Sequence, residues 1–224
     1  MSDDSFIREV DEELRSDRFQ EFWSKYGKLV IGGAVAIVLA TSGYRFYEYY
    51  TGQQAASAGD SFMEAISLSE NGKRDEAIAA LEKLEVGSGD AYSALALMRG
   101  ASELAEAGDA EGAVKKFDAI ANDPGADENL KAIARIRAAM LLVDSGTVAD
   151  VESRVSPLSA PGAPYRASAR EALGLAYYKA GDLENAFKQF KSLVEDNETP
   201  AGLAQRTRII LDVIASKGGP VREQ

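Results

Sequence analysis

The chain has 224 residues, a net charge of −11, and neither histidine nor cysteine. Without histidine there is no serine–histidine triad and the commonest metal ligand is missing, and without cysteine there is no disulfide or thiolate site. The acidic balance argues against nucleic acid as a partner. Because no glycine-rich phosphate loop occurs either, we expect a protein without enzymatic activity, metal or cofactor.

Residues 1–21 form an N-terminal arm that carries charges of both signs. Ile7, Val10 and Leu14 fall at helical spacing within it. This pattern is compatible with a solvated, partly helical tail. It is also compatible with a small amphipathic contact for another membrane protein.

The most apolar stretch of the chain runs from Leu29 to Gly43, and Lys28 and Arg45 are the charges that bound it. A helix rises about 1.5 Å per residue, so a span across about 30 Å of hydrocarbon needs about 20 residues. Aromatic residues on both sides supply the remaining length and suit the two headgroup regions. We therefore predict one transmembrane helix within residues 22–50. The residues predicted at its two membrane interfaces are Trp23, Tyr26, Lys28, Tyr44 and Arg45.

A buried core helix and a cleaved signal peptide are the alternatives for this stretch. Ala40, Thr41 and Ser42 loosely resemble a small-residue cleavage site. The two aromatic belts argue against the core helix. The long acidic arm before the stretch and the bulky aromatics after it argue against the signal peptide.

The distribution of lysine and arginine predicts the orientation of the span. Five such residues precede it, whereas Arg45 is alone behind it until Lys73. Basic residues favour the cytoplasmic side, so we expect a cytoplasmic N-terminus. In a bacterium, the chain would then be a single-pass inner-membrane protein with residues 51–224 in the periplasm.

Residues 51–224 contain an internal helical repeat that is marked by four glycine-containing turns. Their glycines are Gly72, Gly108, Gly146 and Gly181, with spacings of 36, 38 and 35 residues. A mostly small residue stands five positions after each glycine, and bulky apolar residues follow four and seven positions later. These are Ala77, Ala113, Val151 and Ala186; then Leu81, Phe117, Val155 and Phe190; then Leu84, Ile120, Leu158 and Leu193. Small residues let paired helices approach, and bulky ones fill the space between pairs.

This pattern predicts an all-α fold, in which the transmembrane helix is followed by an α-solenoid of about four tetratricopeptide-like helix pairs. The fourth unit, Leu173 to Pro200, resembles the tetratricopeptide repeat most clearly, whereas the third is degenerate and runs into a proline-rich stretch. A last helix, roughly Ala201 to Ser216, has no partner helix and would cap the stack. A generic helical bundle with coincidental spacing is the alternative.

The junction around the span resembles the bacterial YfgM-like family, whose members are ancillary subunits of the SecYEG translocon. The residues that carry the resemblance are Trp23, Gly27, Gly43, Tyr44 and Arg45, together with the repeats that follow. The resemblance implies a non-enzymatic scaffold beside the translocon, with SecYEG and a PpiD-like chaperone as partners. It would help hand emerging, exported polypeptides to periplasmic chaperones.

Aligning the four units predicts a partner-binding groove on the first helices of the pairs. Its predicted residues are Phe62, Ile66, Met98, Ile136, Met140, Leu175 and Tyr178. Methionine adapts its shape, so such a groove would suit variable, partly unfolded chains. The alternative is that these side chains pack against neighbouring helices.

A basic run offers a second candidate site. Its residues are Lys131, Arg135 and Arg137, with Arg166 and Arg170 elsewhere in the sequence. They would form either a solvated helix face or a clamp for a partner's carboxylate.

Three other functions remain as alternatives at this stage. One is a cell-division or envelope-assembly coordinator of the same build with a different partner. Another is a lyase or hydrolase with paired carboxylates, although nothing in the sequence brings two carboxylates together. The last is a structural oligomer, for which Gly32 and Gly33 are a weak packing signal.

Overall fold

The structure is a computed structural model that describes the backbone of residues 3–87 and 90–221 and the side chains of residues 23–85 and 92–221. The side chains of the predicted arm, residues 1–21, lie outside this description. The chain divides into two compact units, residues 1–54 and 55–224. The regular elements in the described backbone are helices, which confirms the predicted all-α fold.

Nine α-helices and one short 3₁₀ turn follow one another along the described backbone. They are α1 (Asp3–Glu70), α2 (Arg74–Gly87), α3 (Asp90–Glu106), α4 (Ala110–Ala121), α5 (Glu128–Ser145), α6 (Val148–Val155), the 3₁₀ turn (Ser156–Leu158), α7 (Arg166–Lys179), α8 (Leu183–Glu195) and α9 (Ala201–Ser216). Helix α1 contributes residues to both units. The last part of α1 pairs with α2, and the next pairs are α3 with α4, α5 with α6, and α7 with α8.

The repeat positions predicted to be buried form the cores of these pairs. Ala77, Ala113, Val151 and Ala186 are fully buried, and so are Leu81, Val155 and Phe190 one turn later. In the third set, Leu84, Ile120 and Leu193 are buried, whereas Leu158 of the degenerate unit is half-buried. Helix α9 begins and ends where the sequence predicts, and its Leu211 and Ile214 pack against the fourth pair.

Three of the four turns have a glycine in the left-handed region, and the third turn differs. Gly72, Gly108 and Gly181 have φ values of 77°, 89° and 81°, which glycine adopts at little cost. Gly146 is extended, with a φ of −106°, and the next helix starts with a capping box between Thr147 and Asp150. The third unit is therefore degenerate in its turn geometry as well as in its sequence.

Side-chain hydrogen bonds join each first helix to the first helix of the next pair. Ser69 Oγ of α1 donates to Glu103 of α3 at 2.5 Å, and Arg137 of α5 donates to Ser102 Oγ of α3 at 3.0 Å. Lys179 of α7 donates to the backbone oxygen of Asp144, and Arg206 of α9 donates to Glu171 of α7 at 3.0 Å. The first helices α1, α3, α5 and α7 thus lie side by side and form one layer, which we call the first-helix layer. The capping helix α9 adjoins α7 and is not counted in this layer.

The second helices of the first three pairs are joined in the same way. Lys116 of α4 donates to both carboxylate oxygens of Glu85 in α2, at 2.7 and 2.9 Å. Arg154 of α6 donates to both carboxylate oxygens of Asp118 in α4, at 2.9 and 2.7 Å. These helices form a second layer, so the repeat unit has two layers of helices with the core between them.

One carboxylate is fully buried where α1, α2 and α3 meet. Glu103 accepts from Ser69 Oγ at 2.5 Å, and it pairs with Arg99 at 2.5 Å and with Arg74 at 3.3 Å. Burial by itself raises the pKa of Glu103, but the hydrogen bonds from Ser69, Arg99 and Arg74 outweigh it, so the pKa lies below its usual value. Glu103 is thus bonded to residues of α1, α2 and α3, and these partners offset the cost of burying its charge.

Candidate functional site

Helix α1 carries the candidate membrane segment. In the described part of the chain it is the one helix long and apolar enough to cross a bilayer, with a mean hydropathy of 1.6 over its most apolar 18-residue window. None of that window is buried within the structure. Leu29, Ile37 and Leu39 are all more than two-thirds exposed, which would be unfavourable in water. This exposure argues against the alternative of a core helix and fits a single-pass membrane protein.

The five residues predicted for the membrane interfaces all lie on α1 and are exposed. Lys25 lies 5.6 Å from the centre of the Tyr26 ring, a cation–π distance. Arg45 forms an ion pair with Glu48 at 2.9 Å one turn later. Arg45, at one end of the apolar stretch, therefore has a local partner. Their place at a membrane interface stays a prediction.

The seven residues predicted for the groove lie on the first helices α1, α3, α5 and α7, and most of them take part in packing. Phe62 contacts the Tyr92 ring at 6.4 Å between centroids and packs on the first core cluster. Met98 and Ile136 pack on the next two clusters. Leu175 and Tyr178 pack on the cluster that includes α9. These five side chains and Ile66 are half-buried, whereas Met140 is 38% exposed.

Two large apolar side chains that are exposed on the first helices α1 and α3 were missed by sequence reasoning. Met63 of α1 is 63% exposed and Leu95 of α3 is 46% exposed. Met63 stands nine residues before its turn glycine. In the next two units this position holds the partly exposed Arg99 and the exposed Arg137, but in the fourth it holds the buried Ala172, so the repeat register gives only a weak signal for Met63. Met63 is exposed, whereas its neighbour Phe62 packs on the core.

Methionine is concentrated on the first-helix layer. Apart from Met1, the methionines of the chain are Met63, Met98 and Met140, on α1, α3 and α5. Arg137 lies one turn before Met140 and donates to Ser102 Oγ of the neighbouring first helix. The outward surface of this layer thus combines flexible apolar side chains with a few polar groups. Such a surface can accommodate polypeptides of varied sequence.

The structure separates the members of the predicted basic run. Arg166 donates to both carboxylate oxygens of Asp196, at 2.5 and 2.9 Å, and to Glu198, while Arg170 bonds Asp196 at 3.3 Å. The hydrogen bonds from Arg166 lower the pKa of Asp196 to about 2. Arg166 and Arg170 thus join α7 to the segment after α8.

The remaining basic residues, all on α5, have different neighbours. Lys131 pairs with Glu128 at 2.8 Å, and Arg137 bonds Ser102. Arg135 points to the end of α4, where it donates to the Ala121 backbone oxygen at 3.4 Å. These five basic residues therefore do not converge on one clamp.

The predicted groove ends near the C-terminal segment. Lys217 Nζ lies 4.8 Å from the centre of the Tyr178 ring, and Gly218 reverses the chain with a φ of 86°. The segment that follows α9 therefore lies beside the last first helix of the stack. Tyr178 is in consequence less open to a partner than Met63 or Met140.

Comparison with known proteins agrees with this architecture. A family model described as a tetratricopeptide repeat-like domain matches residues 20–215. A protein of Escherichia coli (strain K12) named "Ancillary SecYEG translocon subunit" is 26% identical over 182 residues, which cover 81% of this chain and 86% of that protein. No solved structure gives a significant match.

Proposed function

The chain belongs to the tetratricopeptide repeat-like domain family and to its YfgM-like members, and on this basis we propose that it is a membrane-anchored scaffold of the protein-translocation machinery. The name of the Escherichia coli relative and the match over most of both chains support association with SecYEG. In this function α1 anchors the protein by a single span, and the first-helix layer binds exported polypeptides or partner proteins. The scaffold acts by binding and positioning other chains rather than by catalysis.

The exposed methionines of the first-helix layer are the observation that carries this proposal. Met63 and Met140 are exposed although their helices bury neighbouring apolar side chains. Exposed flexible apolar side chains on a layer of stacked helices are suited to extended, partly unfolded polypeptides. A PpiD-like chaperone is the second partner that we propose, because emerging polypeptides have to pass from the translocon to a folding factor.

Partner identity is tested by purifying the full chain in mild detergent and identifying the proteins that accompany it. We expect SecY and a PpiD-like chaperone. Recovery of peptidoglycan synthases without SecY would instead support the coordinator of envelope assembly.

Binding by the first-helix layer is tested with the double variant Met63→Glu and Met140→Glu. Crosslinking of an exported polypeptide to the full chain in membranes should fall several-fold, because two charges are placed on the apolar surface. The matched control is Ile209→Glu, which changes an exposed apolar residue of α9 outside that layer. Equal crosslinking in both variants would remove the first-helix layer from the proposal.

The proposed orientation places the N-terminus in the cytoplasm and residues 51–224 in the periplasm. The excess of basic residues before the span supports it. A C-terminal fusion to alkaline phosphatase, which is active only in the periplasm, should be active. An inactive fusion that is stably produced would reverse the topology.

A further inference from the structure

A polar cavity lies beside the short second helix of the third unit, away from the first-helix surface to which the proposed function refers. Its volume is about 350 Å³, and side chains from α4, α5 and α6 line it. Volumes of about 300–1,000 Å³ are typical of small-ligand sites. The lining includes Asp118, Asn122, Arg135, Ser153 and Arg154.

The cavity lies at the degenerate third unit. Its second helix, α6, has 8 residues, whereas α4 and α8 have 12 and 13. The chain then enters the 3₁₀ turn, in which Pro157 lines the cavity.

The two arginines of the cavity differ in their partners. Arg154 donates twice to Asp118, at 2.9 and 2.7 Å, and once to the backbone oxygen of Asp150 at 2.8 Å, so its charge is balanced. For Arg135, the acceptor in the described part of the chain is the Ala121 backbone oxygen at 3.4 Å, and no described carboxylate lies within ion-pair distance. The side chains that line the cavity therefore carry one uncompensated positive charge, in a protein whose net charge is −11.

We propose that this cavity binds a carboxylate group of a polypeptide, with the Arg135 guanidinium as its main binding group. A guanidinium matches a carboxylate through two parallel N–H···O bonds, and one negative charge balances Arg135. The Asn122 amide donates to the Asp118 backbone oxygen at 2.8 Å and has a second N–H for a ligand.

The charges around the cavity favour a carboxylate over a phosphate as the bound group. A doubly charged phosphate would be repelled by the Asp118 carboxylate. It would also meet the carbonyl groups at the C-terminus of α4, which carry partial negative charge. A carboxylate has a single negative charge, so Asp118 and these carbonyl groups repel it less, and it can still pair with the Arg135 guanidinium. The cavity is thus a second contact point, for the C-terminus or an acidic side chain of a bound chain.

The experiment measures binding of fluorescent peptides to the detergent-solubilised full chain. One probe is acetyl-Ala-Ala-Leu with a free C-terminal carboxylate, the second is its amide, and the third is acetyl-Ala-Asp-Leu-amide. We expect the first or third peptide to bind at least about tenfold more tightly than the uncharged amide. Which of the two is tighter identifies the C-terminus or the acidic side chain as the source of the carboxylate.

Arg135→Gln should abolish that tenfold preference, and Arg135→Lys should retain part of it. Arg208→Gln is the matched control, because Arg208 is an exposed arginine of α9 outside the cavity, and it should leave the preference unchanged. Inorganic phosphate should compete less well than acetate at equal concentration.

Three results would overturn the proposal. They are equal binding of all three peptides, an unchanged preference in Arg135→Gln, or competition by phosphate as strong as by acetate. If Arg135→Gln leaves the preference unchanged, the role of Arg135 is limited to its hydrogen bond with the Ala121 backbone oxygen at the end of α4. None of these results bears on association with SecYEG, which the detergent purification tests separately.

Discussion

The apolar side chains of residues 29–44 and those of the repeat helices have opposite exposure, although both regions are α-helical. Ile37 in the first region is 68% exposed, whereas Ile214 in the second is fully buried. In the repeats, apolar residues recur on one side of each helix and a paired helix covers them. In residues 29–44 they surround the helix, and the described structure covers none of them. The comparison teaches that the distribution of apolar residues around a helix, more than their number, indicates which surroundings it needs.

Among the substitutions that test this comparison, one in the core of the repeat region should have the largest effect. Phe190 is fully buried below Gly174, where a Cβ atom would lie 2.8 Å from the Phe190 ring. Phe190→Ala should lower the free energy of unfolding by about 3–5 kcal/mol, through lost burial and a cavity. Urea unfolding of the full chain in detergent, followed by circular dichroism, measures it. Ile209→Ala on the exposed face of α9 should change it by less than about 0.5 kcal/mol, and equal effects would contradict the assigned core.

A charge in the middle of the apolar stretch should have the next largest effect, but on a different property. Ile37→Arg should make membrane insertion less favourable by about 3 kcal/mol, because an arginine replaces an apolar residue at the helix centre. The measurement is the fraction of protein retained in membranes after carbonate extraction. Ile37→Leu is the control and should behave as the wild type. If the arginine variant stays fully in the membrane fraction, the stretch does not cross the bilayer as we describe.

The smallest effect is expected for Glu103, a buried charge in the otherwise mostly apolar interior of the repeat region. Glu103→Gln should reduce the free energy of unfolding by about 1–3 kcal/mol, because an amide accepts weaker hydrogen bonds from Arg99 and Arg74. Glu106→Gln, which changes an exposed acid paired with Arg74 at 2.9 Å, should cost less than about 1 kcal/mol. Chemical unfolding at neutral pH compares the two.

The same carboxylate has a defined pH dependence. Its pKa in the folded state is below the ordinary value of 4.5, so the unfolded chain binds more protons in acid. The stabilisation by Glu103 is therefore complete above about pH 4.5 and is lost as the pH falls through the lower folded value. Unfolding curves between pH 6 and pH 3 should show a steeper acid loss for the wild type than for Glu103→Gln. Parallel curves would show that Glu103 is not preferentially ionised in the folded state.

Sequence patterns identified much of the fold because they concern neighbouring turns of one helix or one helix pair. The glycine spacing and the residues that follow each glycine identified the pairs, and α9 lies where the end of the pattern placed it. The same patterns did not distinguish the third turn, in which Gly146 is extended and Thr147 caps the next helix. The residue type is glycine in all four turns, so the sequence contains little signal for the difference in φ.

The candidate binding surface was less predictable, since exposure depends on helices about 35 residues away in the chain. Phe62 and Met63 are adjacent and both apolar, yet the first packs against Tyr92 and the second is exposed. Likewise, Arg135 and Arg154 are equally basic, but Asp118 neutralises only Arg154. Composition cannot show which of two similar side chains has a partner in another repeat.

The sequence by itself determined the helical class, the repeat and the single apolar segment, because each depends on periodicity or on an uninterrupted run of residue types. The tertiary structure alone decided which apolar side chains of the first helices remain exposed, and which arginine of the third unit lacks a carboxylate partner. The physical reason is that burial and charge neutralisation come from neighbours in space, and in a stacked repeat those neighbours belong to the adjacent unit.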